Sequence, residues 1–186
     1  MRLLIRSVAK DSVLTVACYF ILVQSGSVSE TRAGLPIEIP YQLNFYHTHT
    51  GERLDVIYRR GDHYDPAAIA RINYCLRDHR TGEVHVYDPR VFDLLHEITL
   101  ALGHPDAEID VICGYRTSWS NNYLRTHGHG VALHSLHMQA MAIDIRVPGV
   151  PTFKLRDTAL ALHRGGVGYY AASDFVHVDV GRVRHW

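Results

Sequence analysis

The chain has 186 residues, 47% apolar and 20% charged, with 19 basic against 19 acidic side chains. That length suits one domain with a full hydrophobic core, and the composition excludes a disordered tail, a collagen and a multi-span membrane protein. Zero formal net charge without a long Lys or Arg run lacks the electrostatic footprint of a general nucleic-acid binder, whereas 14 histidines direct attention to a metal or proton-transfer site.

Residues 1–28 read as an export signal or an N-terminal anchor. Arg2, Arg6 and Lys10 precede an apolar run over residues 13–23, and Ser25-Gly26-Ser27-Val28-Ser29 follows it. The run is shorter than the roughly 20 residues of a spanning helix. Cleavage would remove Cys18 and leave the rest mildly acidic. Cys75 and Cys113 then either pair in an oxidising compartment or remain two buried thiols. Residues 29–40 form a polar connector, and 41–186 the domain.

Within the domain, residues 42–46 and 53–58 flank the turn signal Thr50-Gly51-Glu52 and predict a hairpin. Asp65-Pro66 opens a helix with Ile69, Ile72 and Leu76 at helical spacing. Asp88-Pro89 opens another, whose stripe of Val91, Leu94, Leu95, Ile98 and Leu102 ends at Gly103. A strand follows over 108–113, then a helical turn over 120–125 and a glycine-rich loop over 126–130. Strands over 141–146, 166–170 and 175–180 complete the chain, with a helix over 155–164. The expected architecture is a single α+β domain, an antiparallel sheet built mostly by the C-terminal half and packed against N-terminal helices.

The strand period of two places Ile143 and Ile145 on one face and Ala142, Asp144 and Arg146 on the other. In residues 175–180 the valines share one face, and His177 and Asp179 the opposite one. If the two strands pair, Asp144 and His177 point into one cleft, and His137, in the loop feeding the first strand, can close over it. Two imidazoles and a carboxylate with an open fourth position form the ligand set of a catalytic zinc site. Spacing alone equally allows a loop histidine, an aspartate paired with an arginine and a satisfied strand histidine.

Ser135-Leu136-His137-Met138-Gln139-Ala140-Met141-Ala142-Ile143-Asp144 resembles the S-x-H-x-x-G-x-A-x-D signature of the zinc D-Ala-D-Ala carboxypeptidases and dipeptidases, peptidase family M15. Ala140 replaces the glycine, and an alanine fits there only with a negative φ. The resemblance continues through His47-Thr48-His49-Thr50-Gly51-Glu52, Leu76-Arg77-Asp78-His79-Arg80-Thr81-Gly82 and Gly114-Tyr115-Arg116-Thr117. It then covers Gly165-Gly166-Val167-Gly168-Tyr169-Tyr170 and Phe175-Val176-His177-Val178-Asp179. These blocks are similar to a branch of exported bacterial proteins once called DUF882, which includes murein endopeptidases.

The resemblance implies a hedgehog/DD-peptidase-like fold, one Zn2+ held by His137, Asp144 and His177, and peptidoglycan stem-peptide cross-links as substrate in a Gram-negative-type periplasm. It implies Arg116 as the group facing the scissile carbonyl, where a fixed positive charge steadies the oxyanion. The family's acid stands three residues before the last ligand, which here is Asp174; Asp179 is the other candidate base. The H-x-H variant is excluded by Phe175. Such a substrate requires a cleft for D-amino acids and a diaminopimelate side chain, with Arg125, Asn122 and His129 as rim candidates. His134, close to His137 in sequence, is a candidate to orient a metal ligand. His47 and His49 read as hairpin hydrogen-bonding groups or a second metal site, and Asp78-His79-Arg80 as a structural helix terminus.

Two rival readings remain. His177, Asp179 and His185 have the residue types of an iron(II) oxygenase site, although His185 follows His177 too closely for intervening strands. The other rival is a non-catalytic, zinc-containing wall-binding module of the same fold.

Overall fold

A hairpin opens the described part of the chain, residues 40–128 and 131–186 of a computed structural model. The signal, the connector before Pro40 and His129 lie outside the described residues. Strands β1 (Pro40–His47) and β2 (Arg53–Arg60) pair antiparallel. The His47 amide donates to the Glu52 carbonyl to close the turn. Alternation works as expected: Leu43 and Phe45 of β1, with Val56 and Tyr58 of β2, are buried. A short β3 (His63–Tyr64) edges β2.

Helix α1 (Pro66–Cys75) starts at the predicted signal, because the Asp65 carboxylate accepts from the amides of Ala67 and Ala68 while Pro66 supplies a preset first turn. Helix α2 (Arg90–Ala101) begins just past Pro89 and buries Val91, Leu94, Leu95 and Ile98. Strand β4 (Glu108–Cys113) spans the expected residues. Helix α3 (Ser118–His127) is longer than the expected turn. It buries only Ser120 and Asn121, so it has no apolar stripe to betray it, and the Thr117 hydroxyl caps it by accepting from the Ser120 amide. Strand β5 (Ala142–Arg146), helix α4 (Thr152–Leu162), and strands β6 (Gly166–Tyr170), β7 (Phe175–Asp179) and β8 (Arg184–His185) follow. Two 3-10 turns, Leu136–Gln139 and Ala171–Ser173, precede β5 and β7 respectively.

The strands form one sheet in the order β3-β2-β1-β4-β5-β7-β6-β8. All neighbours are antiparallel except β1 with β4 and β6 with β8. The domain is therefore α+β, but the N-terminal hairpin shares the sheet that the sequence assigns mostly to the C-terminal half. Ile109, Val111, Ile143, Ile145, Val176 and Val178 enter the apolar core with residues of α1, α2 and α4. Among the described residues no helix is long and apolar enough to cross a membrane.

Candidate metal centre and its cavity

In the β5–β7 register Asp144 stands directly opposite His177, and Ile143 opposite Val178. Since Ile143 and Val178 belong to the core, the period of two sends Asp144 and His177 to the other face, as the sequence pattern predicts. His137 arrives on the Leu136–Gln139 turn, whose Ser135 cap accepts from the His137 amide. His137 Nε2 lies 3.1 Å from both Asp144 Oδ1 and His177 Nδ1, and His177 Nδ1 lies 2.9 Å from Asp144 Oδ1.

The outer ring atoms decide what faces inward. A carbonyl only accepts, so His137 Nδ1, 2.8 Å from the Gly114 carbonyl, carries that ring's proton in its neutral form. His177 Nε2 likewise faces Asp179 Oδ2 at 3.0 Å. Both inner nitrogens then present lone pairs to a carboxylate oxygen in a buried place, an arrangement suited to a cation. Ligand atoms around a tetrahedral zinc stand about 3.3–3.5 Å apart, so the trio needs only small outward shifts to accept one. Without a metal, the same negative surroundings hold a proton on the inner nitrogen of His137, the place a cation would take. Burial works against the His137 imidazolium, but the charges of Asp144 and Cys113 and their hydrogen bonds raise its pKa to about 10. Burial also opposes the Asp144 carboxylate, yet His137 and His177 hold it well below the usual carboxylate range.

Asp179 stands behind His177 rather than in the cavity. Fully buried, it accepts from the Gly166 and Gly181 amides, from both terminal nitrogens of Arg184 and from His177 Nε2. A Cβ at position 166 would collide with that carboxylate, which explains one glycine of the Gly165-to-Gly168 block. A Cβ at Gly168 would come within 2.6 Å of the Trp186 indole, the ring that packs 5.2 Å from His177.

A cavity of about 460 Å3 opens over the trio. Arg116 lines it, only 7% exposed, and its Nε is buried without a hydrogen-bond partner among the described residues. His134, Arg184, Trp186, His49, His79 and Arg80 also reach the cavity wall. The sequence reading missed Cys113 as a site residue. Its sulfur and the ligand atoms of His137 and Asp144 lie within 4.8 Å of one another, and its register opposite Asp144, past an irregularity in β4, brings it there. Cys75 and Cys113 are both free thiols, so the pairing alternative is not realised.

Four expectations need correction. Asp174 does not line the cavity: its Oδ1 accepts from the Thr152 hydroxyl at 2.9 Å, and its Oδ2 lies 3.6 Å from Arg146. Asn122 and Arg125 lie exposed on α3, which sends Leu124 to the cavity instead. Ala140 has φ 51°, in the left-handed region rather than at the negative φ expected. His185 is absent from the cavity wall, so the oxygenase triad is not assembled.

Comparison with known proteins adds the family context. An M15-type peptidase family described as peptidoglycan L,D-endopeptidase MepK matches residues 37–186. The chain is similar to the probable peptidoglycan L,D-endopeptidase MepK of Haemophilus influenzae, 44% identical over 147 residues and 79% of each chain. It is also similar to the peptidoglycan L,D-endopeptidase MepK of Escherichia coli K12, 37% identical over 79% of this chain and 80% of the relative. No solved structure matches it.

Proposed function

The chain belongs to the MepK family of M15-type peptidoglycan endopeptidases, and from that premise we propose that it is an exported, periplasmic zinc enzyme that hydrolyses an L,D bond in peptidoglycan cross-links. The observation that carries the metal assignment is the convergence of His137 Nε2, Asp144 Oδ1 and His177 Nδ1 within 3.1 Å of one another. Zinc held by these three residues would supply an acidified water and a Lewis acid for the substrate carbonyl.

The remaining chemistry belongs to the chain. Arg116 brings a fixed positive charge to the cavity, its Nε without a hydrogen-bond partner among the described residues, and it holds the oxyanion of the tetrahedral intermediate. Asp179 fixes the tautomer and orientation of His177. Asp144 is the sole carboxylate on the described cavity wall and is committed to the metal, so proton transfer falls to an imidazole. His134, on the segment that carries His137, accepts the water's proton and returns it to the leaving amine.

Hydrolysis of cross-linked muropeptide dimers is expected to stop with a chelator and return with zinc. His134→Asn should lower kcat about 100-fold, while Asp174→Asn should stay within about threefold of the parent. The reverse ranking would return the proton transfer to Asp174.

A further inference from the structure

One end of the cavity takes no part in that chemistry. His47 and His49, from the end of β1 and its turn, meet His79 from the segment after α1. The His49 and His79 rings stack at 4.0 Å and 13°, and His47 lies 5.8 Å from His79 and 6.1 Å from His49. His49, His79 and Arg80 line the same cavity as the metal-binding trio, while His47 is sealed from solvent. His47 Nδ1 accepts from the His49 amide at 3.3 Å, so the neutral ring carries its proton on Nε2. That buried Nε2 has no acceptor among the described residues.

Two nearby carboxylates are already committed. Arg77 clamps Glu52 at 2.8 and 3.1 Å. Asp78, buried, accepts from the amide and hydroxyl of Thr117 and from the Arg80 amide. Two imidazoles and a guanidinium therefore line this end of the cavity, with the His47 ring buried behind them and neither acid free to pair with them.

We propose that this end of the cavity is a carboxylate-binding subsite, in which His49, His79 and Arg80 hold a free carboxylate of the stem peptide while the scissile bond lies at the His137–Asp144–His177 centre. The inference rests on the proposed function and narrows its substrate to cross-links bearing a free carboxylate near the cleaved bond. A metal fits the cluster less well. Rings stacked face to face at 4.0 Å do not converge on one ion, and the Arg80 guanidinium on the same wall repels a cation and attracts an anion.

The test compares cross-linked muropeptide dimers whose diaminopimelate carboxylates are free or amidated. Binding is measured by calorimetry with the full chain in chelator, where no bond is cut, and hydrolysis separately with zinc. The wild type is expected to bind the free acid at least about tenfold more tightly than the amide. His79→Gln and Arg80→Gln should each bring that ratio close to one. Being a ratio within a single protein preparation, it does not depend on how much of a variant is folded. Equal binding of both dimers by the wild type, binding of neither, or a preference that survives in both variants would overturn the subsite. Absent hydrolysis with an intact binding preference would instead sink the proposed function and leave the subsite standing.

Discussion

Ala140 carries local strain beside the metal centre. A left-handed conformation costs an L-residue about 1–2 kcal/mol. Ala140 is held there because its amide donates to the His137 carbonyl and its own carbonyl accepts from Asp88. Ala140→Gly is therefore expected to raise the urea-unfolding free energy by about 1 kcal/mol, less whatever glycine adds to the entropy of the unfolded chain. A loss of stability would show that the strain is not real. His79 makes a second residue-level prediction. Burial, with His49 and Arg80 next, lowers its pKa from 6.5 to about 4. Between those values the unfolded chain binds a proton that the folded chain refuses, so His79 makes stability fall as pH drops through that window. His79→Gln should flatten that part of the pH–stability profile measured by thermal melts; an unchanged slope would refute the assignment.

At the scale of elements, Asp179 ties β6, β7 and β8 together and holds the His177 ring from behind. Asp179→Asn keeps the shape but weakens the acceptor, and it should cost about 10–100-fold in zinc affinity by competition with a chromophoric chelator. Unchanged affinity would remove Asp179 from the metal site's support. The elements also show what was legible in the sequence. Period-two alternation placed Asp144 and His177 each on the less apolar face of its own strand, and Asp65-Pro66 marked the start of α1, because both signals act over a few residues. Cys113, Trp186 and the meeting of His47 and His49 with His79 depend on sheet register and on contacts between distant segments, which local pattern does not encode. The position of Asp174 was not legible for a related reason. Its spacing from His177 matches the family's acid, but its own φ of 53° and its hydrogen bond to Thr152 take the carboxylate elsewhere.

For the whole molecule, one sheet does two jobs. Its apolar face packs against the helices, and the polar face of β5 and β7 places the candidate ligands under the cavity. The Arg116 Nε, unpartnered among the described residues, and the convergence of His137, Asp144 and His177 are the features on which the proposed cation and oxyanion sites rest. The proposed zinc-dependent peptidoglycan endopeptidase depends on these residues acting together. The most direct measurement is muropeptide analysis of purified sacculi digested with the protein, with added zinc, with chelator and with His137→Ala. Loss of cross-linked dimers that requires both zinc and His137 is the predicted result, and the products would identify the bond. Unchanged muropeptides from a protein that nonetheless holds one zinc per chain would contradict it, and would point to a wall-binding module that keeps the site without the chemistry.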